Sequence, residues 1–256
     1  MKKPIILIIA NDNYFQPTFL HEIFEVFLKS DYHIERVFIL KKLEKPSTEK
    51  YLLNNLFNLK ISEIFKLSLL KFFPRMINCF IDIKIKYFSI NKIIFDHNIK
   101  FNSNINLSEP KVIQHLLKKK YSLILNTGAQ IFTKKIIKKY KDKIVNIHLS
   151  LLPKYPGVWT MFQQMANNEK YTGVTIHAIN EKIDGGKIIL KEKILLNKNY
   201  SIFENQLNCY KHIPSMIKFC VLKQFKVLKS ITPQKTIGYP TSDDWKKFRK
   251  NNMKII

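Results

Sequence analysis

An α/β fold, with a mostly parallel sheet flanked by helices and a short helical tail at the C-terminal end, is predicted by three observations. Short apolar runs bounded by turn residues recur at residues 5–10, 36–40, 121–126 and 144–148. Segments of helical periodicity fall between them, at 17–28, 109–119 and 133–140, and strand–helix–strand alternation implies parallel strands joined by crossovers. The chain has 256 residues, 46% of them hydrophobic, enough for one large core with at most a small appendage.

The first run follows Met1, Lys2 and Lys3 and imitates a signal peptide, but it is short and Asn11-Asp12-Asn13 ends it without a small-residue cleavage site, so it reads as a buried strand. Phe19, Leu20, Ile23, Phe24 and Phe27 then give helix 17–28 an apolar stripe. Residues 52–88 are rich in Leu, Ile and Phe but interrupted by Lys60, Glu63, Lys66, Lys71, Arg75, Asp82, Lys84 and Lys86, so no run spans a membrane. One or two amphipathic helices, broken near Pro74 and covering the sheet, are expected there; a membrane-surface role is the alternative. Further strands are expected at 173–179 and 188–194. Residues 200–228 read as a helix burying Phe203, Leu207, Tyr210, Ile217 and Val221. With no repeat or linker, residues 1–198 are expected to form one Rossmann-like domain, which holds the candidate catalytic residues described below, and 199–256 a helical extension packed on it.

Three cysteines, Cys79, Cys209 and Cys220, have neither metal-ligand spacing nor an even count; a disulfide framework and a metal site are not expected, and a reducing cytoplasm suits the chain. The net charge is +25, from 44 Lys and Arg against 19 Asp and Glu. Such a surface gathers anionic partners, among them a polyglutamated cofactor, a nucleotide-linked sugar, tRNA or an acidic membrane. The lysines are spread along the chain, however, which favours solvated faces over a nucleic-acid module.

The densest chemistry lies between 144 and 190. Asn146 and His148, at i and i+2, share one face of a strand whose other face carries Val145 and Ile147. They end that strand at the carboxyl edge, where open α/β sheets bind ligands. Pro153, Pro156 and Gly157 make the following loop stiff, and Asp184 precedes Gly185-Gly186 in a tight turn. Moving an acyl group onto an amine requires donors for a developing oxyanion and an acceptor for the amine proton. An Asn amide and an imidazole supply the former, and a carboxylate can orient the imidazole and take up the proton. Alone, Asn146 and His148 would be a satisfied pair at a strand end; with Asp184 and two flanking loops they read as catalytic. His177 reads as a hydrogen-bonded residue inside its strand. Tyr155 and Trp159 either line an acceptor pocket or pack under the proline loop.

The runs N-I-H-L-S-L-L-P-K-Y-P-G, T-G-V-T-I-H and D-G-G-K-I, in that order, resemble the motifs of formyltransferases that use 10-formyltetrahydrofolate. That resemblance implies that Asn146 and His148 polarise the formyl group while Asp184 tunes the histidine and handles the amine proton. Leu149 stands where the family has proline, a change expected to alter loop stiffness rather than chemistry. Residues 121–132 resemble the family's strand and loop beside the pteridine pocket. Ala129, Gln130, Ile131 and Phe132 are the expected cofactor-binding positions, with Ser150, Leu151, Leu152, Pro153, Glu181 and Lys182 closing the pocket.

The acceptor is argued from what surrounds these motifs. After the first strand the chain reads Ala10-Asn11-Asp12-Asn13-Tyr14-Phe15, without the glycines that let backbone amides approach a phosphate, which counts against glycinamide ribonucleotide. The run Y-P-T-S-D-D-W-K-K-F resembles the end of short formyltransferases acting on amino sugars. A small anionic amine, most plausibly a nucleotide-linked amino sugar of cell-surface polysaccharide, is the expected acceptor. Methionyl-tRNA, formyl transfer to water and a non-catalytic folate-binding module are the alternatives, and a homodimer stays open.

Overall fold

The first strand is the centre of the sheet. In the computed structural model, which describes residues 2–12, 14–42, 48–80, 85–226, 231–232 and 234–256, β1 (Lys3–Ile9) pairs in parallel with β2 (Tyr32–Leu40) and β4 (Leu123–Asn126). The sheet continues through β3 (Phe101–Ile105), β5 (Ile144–His148), β6 (Tyr171–Ala178) and β7 (Ile188–Leu195), in the order β3-β2-β1-β4-β5-β6-β7. β1 to β5 are parallel, whereas β6 is antiparallel to β5 and β7 to β6. The mostly parallel α/β architecture is therefore as expected.

β1 shows why the layers form. Its apolar residues alternate faces, so Ile5, Leu7 and Ile9 join the core beneath α1 (Pro17–Leu28) and α9 (Ile202–Leu222), while Ile6 and Ile8 join the core beneath α6 (Pro110–Lys118) and α7 (Lys134–Lys139). A strand apolar on both faces needs cover on both. α1 buries the expected stripe of Phe19, Leu20, Ile23, Phe24 and Phe27.

Three elements were not anticipated, the first two for want of a readable signal. β3, Phe-Asn-Ser-Asn-Ile, is a largely exposed edge strand with little hydrophobic patterning. α8 (Thr160–Ala166) is buried on every side and so shows no amphipathic period. α5 (Ile90–Asp96), capped by Ser89, buries only Ile90, Ile93 and Ile94.

The segment beginning near residue 48 contains α2 (Thr48–Asn54), α3 (Ile61–Phe72) and α4 (Ile77–Phe80), with the expected break at Pro74. It does not simply cover the sheet: Leu70, Ile77 and Ile85 form a separate cluster with Leu207 and Ile256. Asp82 and Lys84 lie outside the described residues, as do residues 227–228 of the expected C-terminal helix. Within α9 the buried face is Ile202, Leu207, Cys209, Ile213, Met216, Ile217 and Cys220, whereas Phe203, Tyr210 and Val221 are only partly buried. Ser201 and Glu204 cap that helix reciprocally. α10 (Ser242–Lys250) sets Trp245 and Phe248 against Phe162 of α8, with ring centroids 4.8 and 4.4 Å apart. No described helix is long and apolar enough to cross a membrane.

Candidate active site

A row of three polar residues crosses the sheet near the carboxyl ends of β4 and β5. Asn126, Asn146 and His177 are register partners on β4, β5 and β6, so pairing alone brings their side chains to neighbouring positions. Asn126 Nδ2 donates to Asn146 Oδ1 at 2.8 Å and to the Gly128 carbonyl at 2.8 Å. With its oxygen committed to Asn126, Asn146 turns Nδ2 the other way, where it lies 3.4 Å from His177 Nε2. The irregularity between Ile176 and His177 in the β6–β7 ladder sits beside that histidine, as bulges near functional sites often do.

Asp184 closes the group from the turn after β6. Its backbone is left-handed, with φ 48°. Oδ2 accepts the Gly157 amide at 2.7 Å and lies 3.5 Å from His148 Nδ1, and Oδ1 lies 3.5 Å from His177 Nε2. Only glycine fits at 157: φ is +109°, and a Cβ would stand 2.2 Å from the Ile237 carbonyl oxygen. Gly186 is similarly constrained, since a Cβ there would meet the Ala178 oxygen at 1.6 Å.

The two imidazoles are oriented from behind. His148 Nε2 is 2.8 Å from the Tyr155 carbonyl oxygen, and His177 Nδ1 is 3.0 Å from that of Ala178. A carbonyl oxygen only accepts, so the proton of a neutral His148 ring sits on Nε2 and leaves Nδ1 with its lone pair on the Asp184 side, while His177 Nε2 faces both Asp184 Oδ1 and Asn146 Nδ2. Burial pushes the His148 imidazole below its ordinary value, against the pull of Asp184 and the Tyr155 carbonyl. Burial also works to raise the Asp184 carboxyl, but His177, the charge of a protonated His148 and the Gly157 amide outweigh it and hold the group below the usual carboxylate range. A charged carboxylate beside a neutral His148 is the resting arrangement near pH 7.

The structure thus brings Asn146, His148 and Asp184 into one cluster. The other sequence-derived positions are distributed around it. Ser150 is fully buried, its Oγ donating to Lys154 O, and the Leu152 amide donates to Thr175 Oγ1 at 3.2 Å. Leu151 and Pro153 are half-buried, and the Leu152–Pro153 bond is cis. Ala129 and Ile131 are exposed, whereas Phe132 belongs to the core beneath α6 and α7. Gln130 uses its whole amide on Leu107 N, Lys41 O and Ile105 O, so it ties together the ends of neighbouring segments. Glu181 pairs with Lys134 on the surface, and the Lys182 amide is held by Asn180. Tyr155 turns its hydroxyl to Glu169 at 2.8 Å while its carbonyl holds His148. Trp159 packs with Tyr51 and Tyr239, an aromatic group formed by α2 and the 236–241 segment.

One member was missed and another was read only in part. His177 is the hydrogen-bonded strand residue expected, and it also faces Asp184, a partner that arrives from a turn seven residues later. Asn126 was not singled out, yet it carries the same signal as Asn146: a polar residue ending a buried strand at the ligand-binding edge. Among the described residues, no group of three His, Cys, Asp or Glu side chains is arranged to hold a metal ion.

The region that holds this cluster is similar in sequence to known proteins. Residues 82–208, which span β5, β6 and the Asp184 turn, match the family described as Formyl transferase. Phosphoribosylglycinamide formyltransferase of Haemophilus influenzae is 32% identical over 124 residues, covering 46% of this chain and 58% of that protein. Methionyl-tRNA formyltransferase of Finegoldia magna is 31% identical over 101 residues, covering 40% of this chain and 32% of that protein. The chain therefore spans about half or less of the length of these relatives. The crystal structure of WlaRD, a sugar 3N-formyl transferase in the presence of dTDP and 5-N-formyl-THF, superposes with a TM-score of 0.53 at 24% identity, over 89% of this chain and 66% of that one. That likeness is one of fold.

Proposed function

We propose that this chain, which carries a formyl transferase domain across residues 82–208, is a folate-dependent N-formyltransferase acting on a small amine, most plausibly that of a nucleotide-linked amino sugar. The observation that carries the reaction class is the convergence of His148 and His177 on the Asp184 carboxylate, with Asn146 Nδ2 beside His177.

The residues present fit a flat heteroaromatic co-substrate. The 127–132 loop exposes Ala129 and Ile131 while its amide side chain, Gln130, is already satisfied, so it offers apolar surface and main-chain groups. 10-Formyltetrahydrofolate would supply the formyl group. Asn146 Nδ2, held outward by Asn126, is a donor for an oxygen that gains negative charge. His148 Nε2–H is held by the Tyr155 carbonyl, which leaves the Nδ1 lone pair on the Asp184 side to receive a proton. Asp184, kept charged, steadies a protonated imidazole, so a proton leaving the amine is held between His148 Nδ1 and the carboxylate.

For the acceptor, the supporting observation lies at the start of α1. Asp12 Oδ1 accepts the amides of Tyr14 and Phe15, at 2.8 and 3.4 Å. Amides near a helix N-terminus after the first strand are a natural phosphate site, and here a carboxylate has taken them. A phosphoribosyl amine is disfavoured at that position.

The test is release of tetrahydrofolate from 10-formyltetrahydrofolate against nucleotide-linked amino sugars, glycinamide ribonucleotide, methionyl-tRNA and an amine-free control. Turnover with an amino sugar supports the reading. Turnover confined to glycinamide ribonucleotide or methionyl-tRNA retains the chemistry and replaces the acceptor, and release without amine makes the protein a hydrolase. No release with any of them sinks the assignment.

A further inference from the structure

We infer that α3 and its flanking turns form a docking surface for an anionic lipid bilayer. Seven of the seventeen exposed large hydrophobic residues among the described positions lie between residues 53 and 73. α3 is the reason. Its inward face carries Glu63, Leu67 and Leu70, at i, i+4 and i+7, packed against the protein. Its outward face carries Ile61, Phe65, Ser68 and Phe72, at i, i+4, i+7 and i+11. On that face Ile61 is 87% exposed, Phe65 62% and Phe72 73%. Phe57, 81% exposed, and Phe73, 59% exposed, extend the patch at either end. Isolated apolar residues on a surface are ordinary, but a helix face built from them marks an interaction site.

Charge selects the occupant. Residues 51–80 contain four basic residues, Lys60, Lys66, Lys71 and Arg75, and one acidic residue, Glu63. Glu63 is buried, with its carboxylate on Arg249 and the Ile255 amide, so the outer surface of the segment carries positive charge only. Aromatic side chains interleaved with Lys and Arg match the headgroup boundary of a bilayer, where rings enter the acyl edge and cations meet anionic headgroups. A second basic surface would repel this one, and a chain of net charge +25 brings such charge to any copy of itself. The partner is therefore a negatively charged membrane.

The experiment is co-sedimentation of the full chain with vesicles of phosphatidylcholine alone or mixed with phosphatidylserine, together with sedimentation velocity without lipid. Expected are binding to the anionic vesicles only, loss of at least about ten-fold in a Phe65→Ser/Phe72→Ser variant, and about five-fold loss for each charge removed in Lys60→Gln and Arg75→Gln. These side chains are exposed, so melting temperature and formyl transfer serve as controls for folding. Failure of the wild type to bind anionic vesicles at low ionic strength overturns the inference. So does binding that survives Phe65→Ser/Phe72→Ser, which would assign it to diffuse charge. A dimer that those substitutions convert to monomer would show that a second copy covers the face.

Discussion

Asn126 holds Asn146 by its oxygen: Nδ2 of the former donates to Oδ1 of the latter at 2.8 Å, between register partners on adjacent strands. An amide has one donor end and one acceptor end, so fixing the acceptor end decides which end faces the site. Asn126→Asp tests this with little change in volume. A carboxylate at 126 can only accept, so Asn146 should turn its Nδ2 towards it and present oxygen to the site. A kcat lowered by about 10- to 100-fold, with KM for the folate within about two-fold, is expected. An unchanged kcat would show that the orientation of Asn146 does not matter.

His148→Ala and Asp184→Asn should each reduce turnover by roughly two to four orders of magnitude in a folded protein. Their coupling is visible in the pH profile. Burial sets the His148 imidazole below its ordinary value and the Asp184 charge pulls it back up. The wild-type acid limb of kcat/KM should therefore lie below about 6.5. Removing the charge in Asp184→Asn should move the limb of the residual activity to still lower pH. A limb that stays in place would separate the two groups.

Much of this architecture was legible because its signals are local. Ile5 to Ile9, the stripe of α1 and the alternation of Val145, Asn146, Ile147 and His148 each fall within a few residues. Asp184 was legible through its glycines. The rest depends on neighbours that arrive from elsewhere in the chain. α8 has no polar face to betray its period because α10 covers it. Glu63 reads as an interruption in an apolar segment until Arg249, 186 residues later, supplies its partner. Asn126 gains its role only once β4 and β5 are paired.

Gly157→Ala should couple stability to catalysis. A Cβ there meets the Ile237 oxygen at 2.2 Å in a backbone of φ +109°, and the same residue's amide holds Asp184. Strain of this kind costs about 1–3 kcal/mol, and relief by moving the loop takes the amide off Oδ2. Denaturant melts and kcat should both fall. Stability lost at full kcat would mean that the Gly157 amide contributes nothing to Asp184.

Glu63→Gln examines the buried end of α3. The carboxylate receives Arg249 Nη1 at 3.1 Å, the Lys60 amide at 2.8 Å and the Ile255 amide at 2.8 Å, linking the start of that helix to the far end of the chain. Burial works to raise this carboxyl, and the hydrogen bonds from Arg249, Ile255 and Lys60 outweigh it and set it below the ordinary Glu value. A group depressed in the folded state contributes stability that is fully present above its unfolded value, about 4.3, and is lost as pH falls through the folded one. Breaking a buried pair costs about 3 kcal/mol, which in a chain of this size lowers Tm by about 6–12 °C. That gap between wild type and variant should hold at pH 7 and narrow progressively below pH of about 4. A gap of the same size at every pH would place its origin in packing instead of the charged carboxylate.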